Sequence, residues 1–215
     1  MDKKKITEAY NRNLPHWQPQ KSVLFMTVRL KGSLPKDVVL SLKQDRELKR
    51  EELKSKGLSK KELEEELRKS YDFYFGKFDD LLDSCTTGPH WLRGDRVAQI
   101  WVSALNHFDN DRYKVACSTV MSNHVHFIFH KLNEPLGKIM HSLKSYTAKE
   151  ANKILNRTGD FWQIESFDRV IRDRVEFEYR VNYTLNNPVK AGIVSHWSAY
   201  KYNYICPDYK HYVDP

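Results

Sequence analysis

Apolar and β-branched positions crowd into Val23-Leu24-Phe25-Met26-Thr27-Val28-Arg29-Leu30, and Gly32-Ser33-Leu34-Pro35 then punctuates the chain. A first strand is predicted there, followed by a helix whose opening turn suits the proline. From Lys36 to about Leu82 the pattern changes: Leu40, Leu48, Leu53, Leu63 and Leu67 recur among charge-dense runs such as Lys60-Lys61-Glu62-Leu63-Glu64-Glu65-Glu66-Leu67-Arg68-Lys69. That spacing predicts helix, broken near Gly57. Interspersed charge signs favour a solvated helical insertion over a DNA-binding helix, with Tyr71-Asp72-Phe73-Tyr74-Phe75 as its packing end.

Helical spacing resumes over residues 95–108. Two β-rich runs, residues 112–121 and 124–131, flank Ser122-Asn123 and predict a hairpin. An amphipathic helix follows from Pro135 to about Leu155, stopped by Asn156-Arg157-Thr158-Gly159. Residues 161–171 supply a further strand, and Asp173 suits the N-cap of a helix that runs to about Asn186 and that Pro188 ends.

The order strand, helices, hairpin, helix, strand, helix predicts an α+β fold: a ferredoxin-like antiparallel sheet with helices mainly on one face and a charged helical insertion after the first strand. At 215 residues the chain suits a single domain, residues 1–215, with an N-terminal arm at 1–20, the insertion at 36–90 and a C-terminal tail at 195–215.

Composition narrows the partner. Lys and Arg number 36 against 28 Asp and Glu, a formal +8, which favours a polyanion such as nucleic acid. Cys85, Cys117 and Cys206 are widely separated with no CxxC pair, the pattern of a reducing compartment. No apolar h-region follows the basic N-terminus, and no stretch approaches the roughly 20 apolar residues of a spanning helix, so a soluble, cytoplasmic protein with no membrane partner is expected.

The chemistry centres on His124-Val125-His126, whose alternation puts both imidazoles on one strand face. Such a pair suits a divalent metal completed by a carboxamide or carboxylate and substrate oxygens; satisfied or exposed histidines are the plain alternative. Hydrolases with three histidines at alternate positions would need a third where Ile128 stands. Cys117 reads as core packing rather than a ligand. Tyr183 and Asn187, four apart in a helical segment, share a face.

Blocks in one order then make a specific resemblance. They are Phe25-Met26-Thr27-Val28-Arg29-Leu30-Lys31-Gly32-Ser33-Leu34-Pro35, Trp91-Leu92-Arg93, Met121-Ser122-Asn123-His124-Val125-His126, Lys144-Ser145-Tyr146-Thr147-Ala148-Lys149-Glu150-Ala151-Asn152, Gly159-Asp160-Phe161-Trp162-Gln163, Phe167-Asp168-Arg169, and Tyr183-Thr184-Leu185-Asn186-Asn187-Pro188-Val189-Lys190-Ala191-Gly192. The chain resembles single-tyrosine HUH transposases, and among them the REP-associated tyrosine transposases. The resemblance implies Tyr183 as nucleophile, His124 and His126 as the metal pair, and Asn187 as the polar residue completing it. Tyr179 is a rival one turn earlier, but the family pattern of tyrosine, three residues, then Asn-Pro selects Tyr183. Ser122 stands where relatives often carry proline, a departure confined to the turn.

A phenol with a pKa near 10 attacks a phosphodiester poorly unless a cation polarises the phosphate. The resemblance therefore implies Mg²⁺ or Mn²⁺, a 5′-phosphotyrosine, and cleavage and rejoining of single-stranded or hairpin DNA by a monomer or homodimer. Lys144, Lys149, Trp162 and Arg169 are second-tier candidates for DNA contact, and Lys138 and Lys153 share the helix of the two lysines; a solvated helix face for the lysines and core packing for Trp162 are the plain alternatives. Two other readings of the same residues are a non-catalytic DNA-binding or regulatory protein on this fold and a metal-dependent phosphoesterase using activated water.

Overall fold

Residues 9–12, 14–17 and 22–213 are described by the computed structural model, in which the chain forms two compact units: residues 1–31 with 90–215, and residues 32–89. The arm expected at 1–20 falls largely outside the described residues; within it Ala9–Arg12 (β1) pairs antiparallel with Leu14–Trp17 (β2).

The first unit is built on the predicted first strand, Val23–Arg29 (β3), and the predicted hairpin, Lys114–Val120 (β4) and His124–His130 (β5). Met121 N–H donates to the His124 carbonyl at 2.9 Å, closing a tight turn through Ser122 and Asn123. Ser122 Oγ lies 2.9 Å from His90 Nδ1, so the serine has a partner of its own. Phe167–Ile171 (β6) and Asn203–Ile205 (β7) complete a five-stranded sheet of order β6-β3-β5-β4-β7, every pairing antiparallel. Strand β7 lies in the region expected to be a tail. It is too short to show periodicity and pairs with β4 alone.

Alternation assigns the two faces. Leu24, Met26, Val28, Val125, Phe127 and Phe129 join one cluster with Asp95–His107 (α3) and Leu136–Ile154 (α4). Trp101 anchors it, its ring 5.5 Å from Phe127 and 5.1 Å from Trp162. Phe25, Thr27, Arg29, His124, His126 and Ile128 point the other way, where Arg174–Lys190 (α5) packs on β4 and β5. Two of this unit's three long helices therefore share a face, and the third holds the opposite one. An extra residue at Ala116 shifts the β4 register, turning Val115 toward the first face and Cys117 toward the second.

Helix α5 begins where Asp173 caps it, the carboxylate accepting from Glu176 N–H at 2.8 Å. It does not end before Pro188 as expected but runs to Lys190. Proline removes one donor, yet the last turn is closed beyond it: Ala191 N–H donates to Asn187 O, Gly192 N–H to Val189 O and Ile193 N–H to Pro188 O. Gly192 at φ 68° supplies the left-handed residue that such an ending needs.

The second unit is a pair of packed helices, Lys36–Ser55 (α1) and Lys60–Ser84 (α2), parted at Gly57 with φ 64°. Ser59 and Glu62 form a reciprocal capping box at the start of α2. Lysines and glutamates at i,i+3 and i,i+4 pair along both helices, among them Lys49–Glu52, Lys54–Glu51 and Lys69–Glu66, while Leu48 and Phe73 are exposed. Gly88 approaches Gly32 so closely that an added Cβ would stand 2.5 Å from the Gly32 carbonyl oxygen.

Candidate metal and tyrosine site

Strand β5 places both histidines inward, and the sheet register surrounds them. Arg29 lies opposite His124, and His126 lies between Thr27 on one side and Thr119 on the other. The two Nε2 atoms converge to 3.0 Å. Their Nδ1 atoms face away: that of His124 is 2.7 Å from Asn123 Oδ1, and that of His126 is 2.8 Å from Thr27 Oγ1. A carboxamide oxygen only accepts, so Asn123 Oδ1 matches the tautomer of His124 that carries its proton on Nδ1, the one whose Nε2 can serve a cation.

This donor set fits a divalent cation. Two nitrogens about 2.1 Å from one ion and near a right angle apart would be separated by about 3.0 Å, and outer hydrogen bonds to Nδ1 are the usual support of metal-binding imidazoles. Imidazole nitrogen suits Mn²⁺ better than Mg²⁺, which prefers oxygen. Arg29 adds a buried positive charge beside the pair; burial lowers its pKa to about 10, which leaves it charged at neutral pH.

Helix α5 brings Tyr183 to this place. Its ring stands edge-on to His126 with centroids 5.8 Å apart, and edge-on to Phe25 at 6.1 Å. Phe25 in turn stacks on His126 at 5.5 Å. Arg180 lies 5.1 Å from the Phe25 ring and 6.0 Å from the Tyr183 ring, and Lys190 Nζ is 5.8 Å from the latter. Asn187 follows one turn after Tyr183 on the same helical face and is buried. The Cys117 thiol hydrogen-bonds Thr184 on α5, and burial pushes its pKa up to about 12, a packed thiol rather than a ligand.

The C-terminal segment sets the position of α5. Asn203 Nδ2 donates to Leu185 O at 2.8 Å, Asn182 Nδ2 donates to Tyr212 O at 2.7 Å, and the Phe177 ring meets Tyr209 and Tyr212, each at 5.3 Å.

Three of the second-tier residues, Lys144, Lys149 and Trp162, lie apart from this cluster. Trp162 is buried against Trp101 with its indole N–H on Thr147 Oγ1 at 2.8 Å, the packed placement that is the plain alternative to a base contact. Lys144 is likewise spent locally, donating to Gln163 O at 2.6 Å and Ile164 O at 2.8 Å. Both line a cleft of about 770 Å³ that includes Met26, hence on the sheet face opposite the histidines. Arg169 lies beside Phe25 in register but is ion-paired with Glu176. Lys149 is exposed on α4.

Sequence reasoning missed Thr27, Arg29, Asn123 and Arg180. For the first two a signal existed, since polar residues at alternate positions of an otherwise apolar strand mark a face that is not plain core.

No protein-family model matches the sequence, and no curated protein matches it. Among solved structures the fold is similar to that of a REP-associated tyrosine transposase bound to a REP hairpin, with a TM-score of 0.52 over 91% of this chain and 81% of that one, at 15% identity. At that identity the likeness concerns the fold. No helix among the described residues is long and apolar enough to cross a membrane.

Proposed function

We propose that the protein is a metal-dependent DNA strand transferase of the REP-associated tyrosine transposase kind, cleaving and rejoining single-stranded or hairpin DNA through Tyr183. The observation that carries this reading is the edge contact between Tyr183 and His126, 5.8 Å between centroids, beside an imidazole pair whose Nε2 atoms lie 3.0 Å apart. A phenol next to a metal pair is the arrangement that phosphotyrosine formation needs. The shared fold with a hairpin-bound transposase and the net charge of +8 support the choice of DNA.

In this reading the Tyr183 phenolic oxygen attacks the phosphorus. The new bond joins that oxygen to the 5′-phosphate, the P–O3′ bond breaks, and the phenolic proton is balanced by the one the leaving 3′-oxygen gains. The phosphodiester count is unchanged, so rejoining to a second 3′-hydroxyl needs no nucleotide cofactor. His124, His126 and Asn187 would hold Mg²⁺ or Mn²⁺, which supplies charge neutralisation at the phosphate when bound. Phe25 and Thr27 fix the His126 ring by stacking and by the Nδ1 contact, and Arg29 and Arg180 add positive charge for the incoming phosphate.

The test is incubation of a library of labelled hairpin oligonucleotides with single-stranded flanks, with protein and Mn²⁺. Wild-type protein is expected to give a covalent adduct whose mass places one DNA fragment on Tyr183, and Tyr183→Phe to give none. Hydrolysis without an adduct would instead mark a water-using phosphoesterase, and tight binding with neither product a non-catalytic DNA-binding protein.

A further inference from the structure

Helix α5 carries a stripe that core packing does not explain. Tyr179, Tyr183 and Lys190 stand at i, i+4 and i+11, within about 40° of one azimuth along about 16 Å of helix axis. Tyr179 is 60% exposed, yet its ring lies nearly parallel to that of Tyr183, 30° apart with centroids at 6.2 Å. It extends an aromatic series that begins at His126, passes through Tyr183 and ends on an outward ring.

Two basic side chains, a buried arginine and an exposed lysine, border the stripe. Arg180 sits 5.3 Å from the Tyr179 ring and 6.0 Å from the Tyr183 ring, and Lys190 stands 5.8 Å from the latter. The glutamates of α5 are engaged elsewhere, Glu176 with Arg169 and Glu178 with Arg174. An exposed flat ring next to cations is complementary to a single strand of nucleic acid, which offers a base to stack and a phosphate to pair at each step.

We propose that Tyr179 and Lys190 bind the nucleotides flanking the phosphate that Tyr183 attacks, Tyr179 stacking on an adjacent base and Lys190 holding an adjacent phosphate. The proposal rests on the reading of Tyr183 above. It gives Tyr179 a role as substrate-binding residue in place of rival nucleophile, and it lays the strand along α5.

Binding is measured on the Tyr183→Phe protein, which cannot form the adduct. The probes are a labelled oligothymidylate of about twelve nucleotides and the same backbone with abasic sites throughout. Tyr179→Ala is expected to weaken oligothymidylate binding about tenfold, Tyr179→Phe to restore it, and the abasic probe to be indifferent to either. Lys190→Met is expected to lower the slope of log affinity against log salt by about 0.7, with Lys190→Arg leaving the slope intact. Equal loss on both probes, or no loss on either, overturns the stacking role; an unchanged slope overturns the phosphate role. Should wild-type protein form no adduct while these differences hold, the transfer reaction fails and the binding stripe stands. An adduct together with unchanged binding sinks the stripe alone.

Discussion

The two ring nitrogens of His126 do different work. Nδ1 lies 2.8 Å from Thr27 Oγ1, and Nε2 faces the Nε2 of His124. An imidazole that offers Nε2 to a cation must keep its proton on Nδ1, and the Thr27 hydroxyl stands where it can accept that proton's hydrogen bond and fix the ring plane. Thr27→Val keeps the β-branched shape and removes the oxygen. It is expected to weaken Mn²⁺ binding by about 10- to 100-fold, read by calorimetry or by the manganese resonance signal. Undiminished affinity would mean that Phe25 stacking alone orients the ring. The shared face of His124 and His126 was legible because strand periodicity is two. The Thr27 contact was not, because it depends on which strand becomes the neighbour of β5, and neither sequence distance nor propensity supplies that.

At the scale of the element, α5 positions the candidate nucleophile, and its ends are individually specified. Asp173 caps the first turn and Gly192 the last, so each end tests how firmly Tyr183 is held. Asp173→Ala is expected to cost about 1 kcal/mol of stability, and Gly192→Ala about the same through its positive φ, both seen in denaturant unfolding. Neither should abolish adduct formation, because the packing of Val181 and Leu185 and the clamps from Asn203 and Tyr212 remain. Complete loss of adduct with either variant would show that end geometry sets the position of the phenol. The start of this helix was legible from its N-cap, but its end was not. Proline taken as a stop signal ignores the carbonyl acceptors beyond it, and those follow from the glycine four residues later. Trp162 shows a related limit: a tryptophan in a matched motif suits a stacking surface or a packed core equally, and only the neighbouring Trp101 and Thr147 show where its ring and N–H lie. The meeting of Tyr183 with His126 crosses more than fifty residues of chain, so the motif blocks brought the two together on paper and packing supplies the contact.

Across the whole molecule, charge is divided unevenly between the two units. Residues 32–89 hold 12 Lys and Arg against 13 Asp and Glu, a net −1, so the remaining 24 against 15 leave +9 on the sheet unit. The insertion is charge-dense but close to neutral, with Lys49, Lys54 and Lys69 paired to glutamates one turn away; such exposed pairs contribute little stability and present little net field. A polyanion is therefore expected to respond to the sheet unit. Removing two insertion cations, Lys60→Gln with Lys61→Gln, should leave the slope of log affinity against log salt for single-stranded DNA unchanged. Lys149→Gln on the exposed side of α4 should lower it by about 0.7 if the strand reaches that helix. The comparison separates local contact from overall charge, because the double substitution removes two positive charges and the single one removes only one. A larger loss of slope from the insertion variant would put phosphates on α2 and overturn the assignment of DNA contact to the sheet unit.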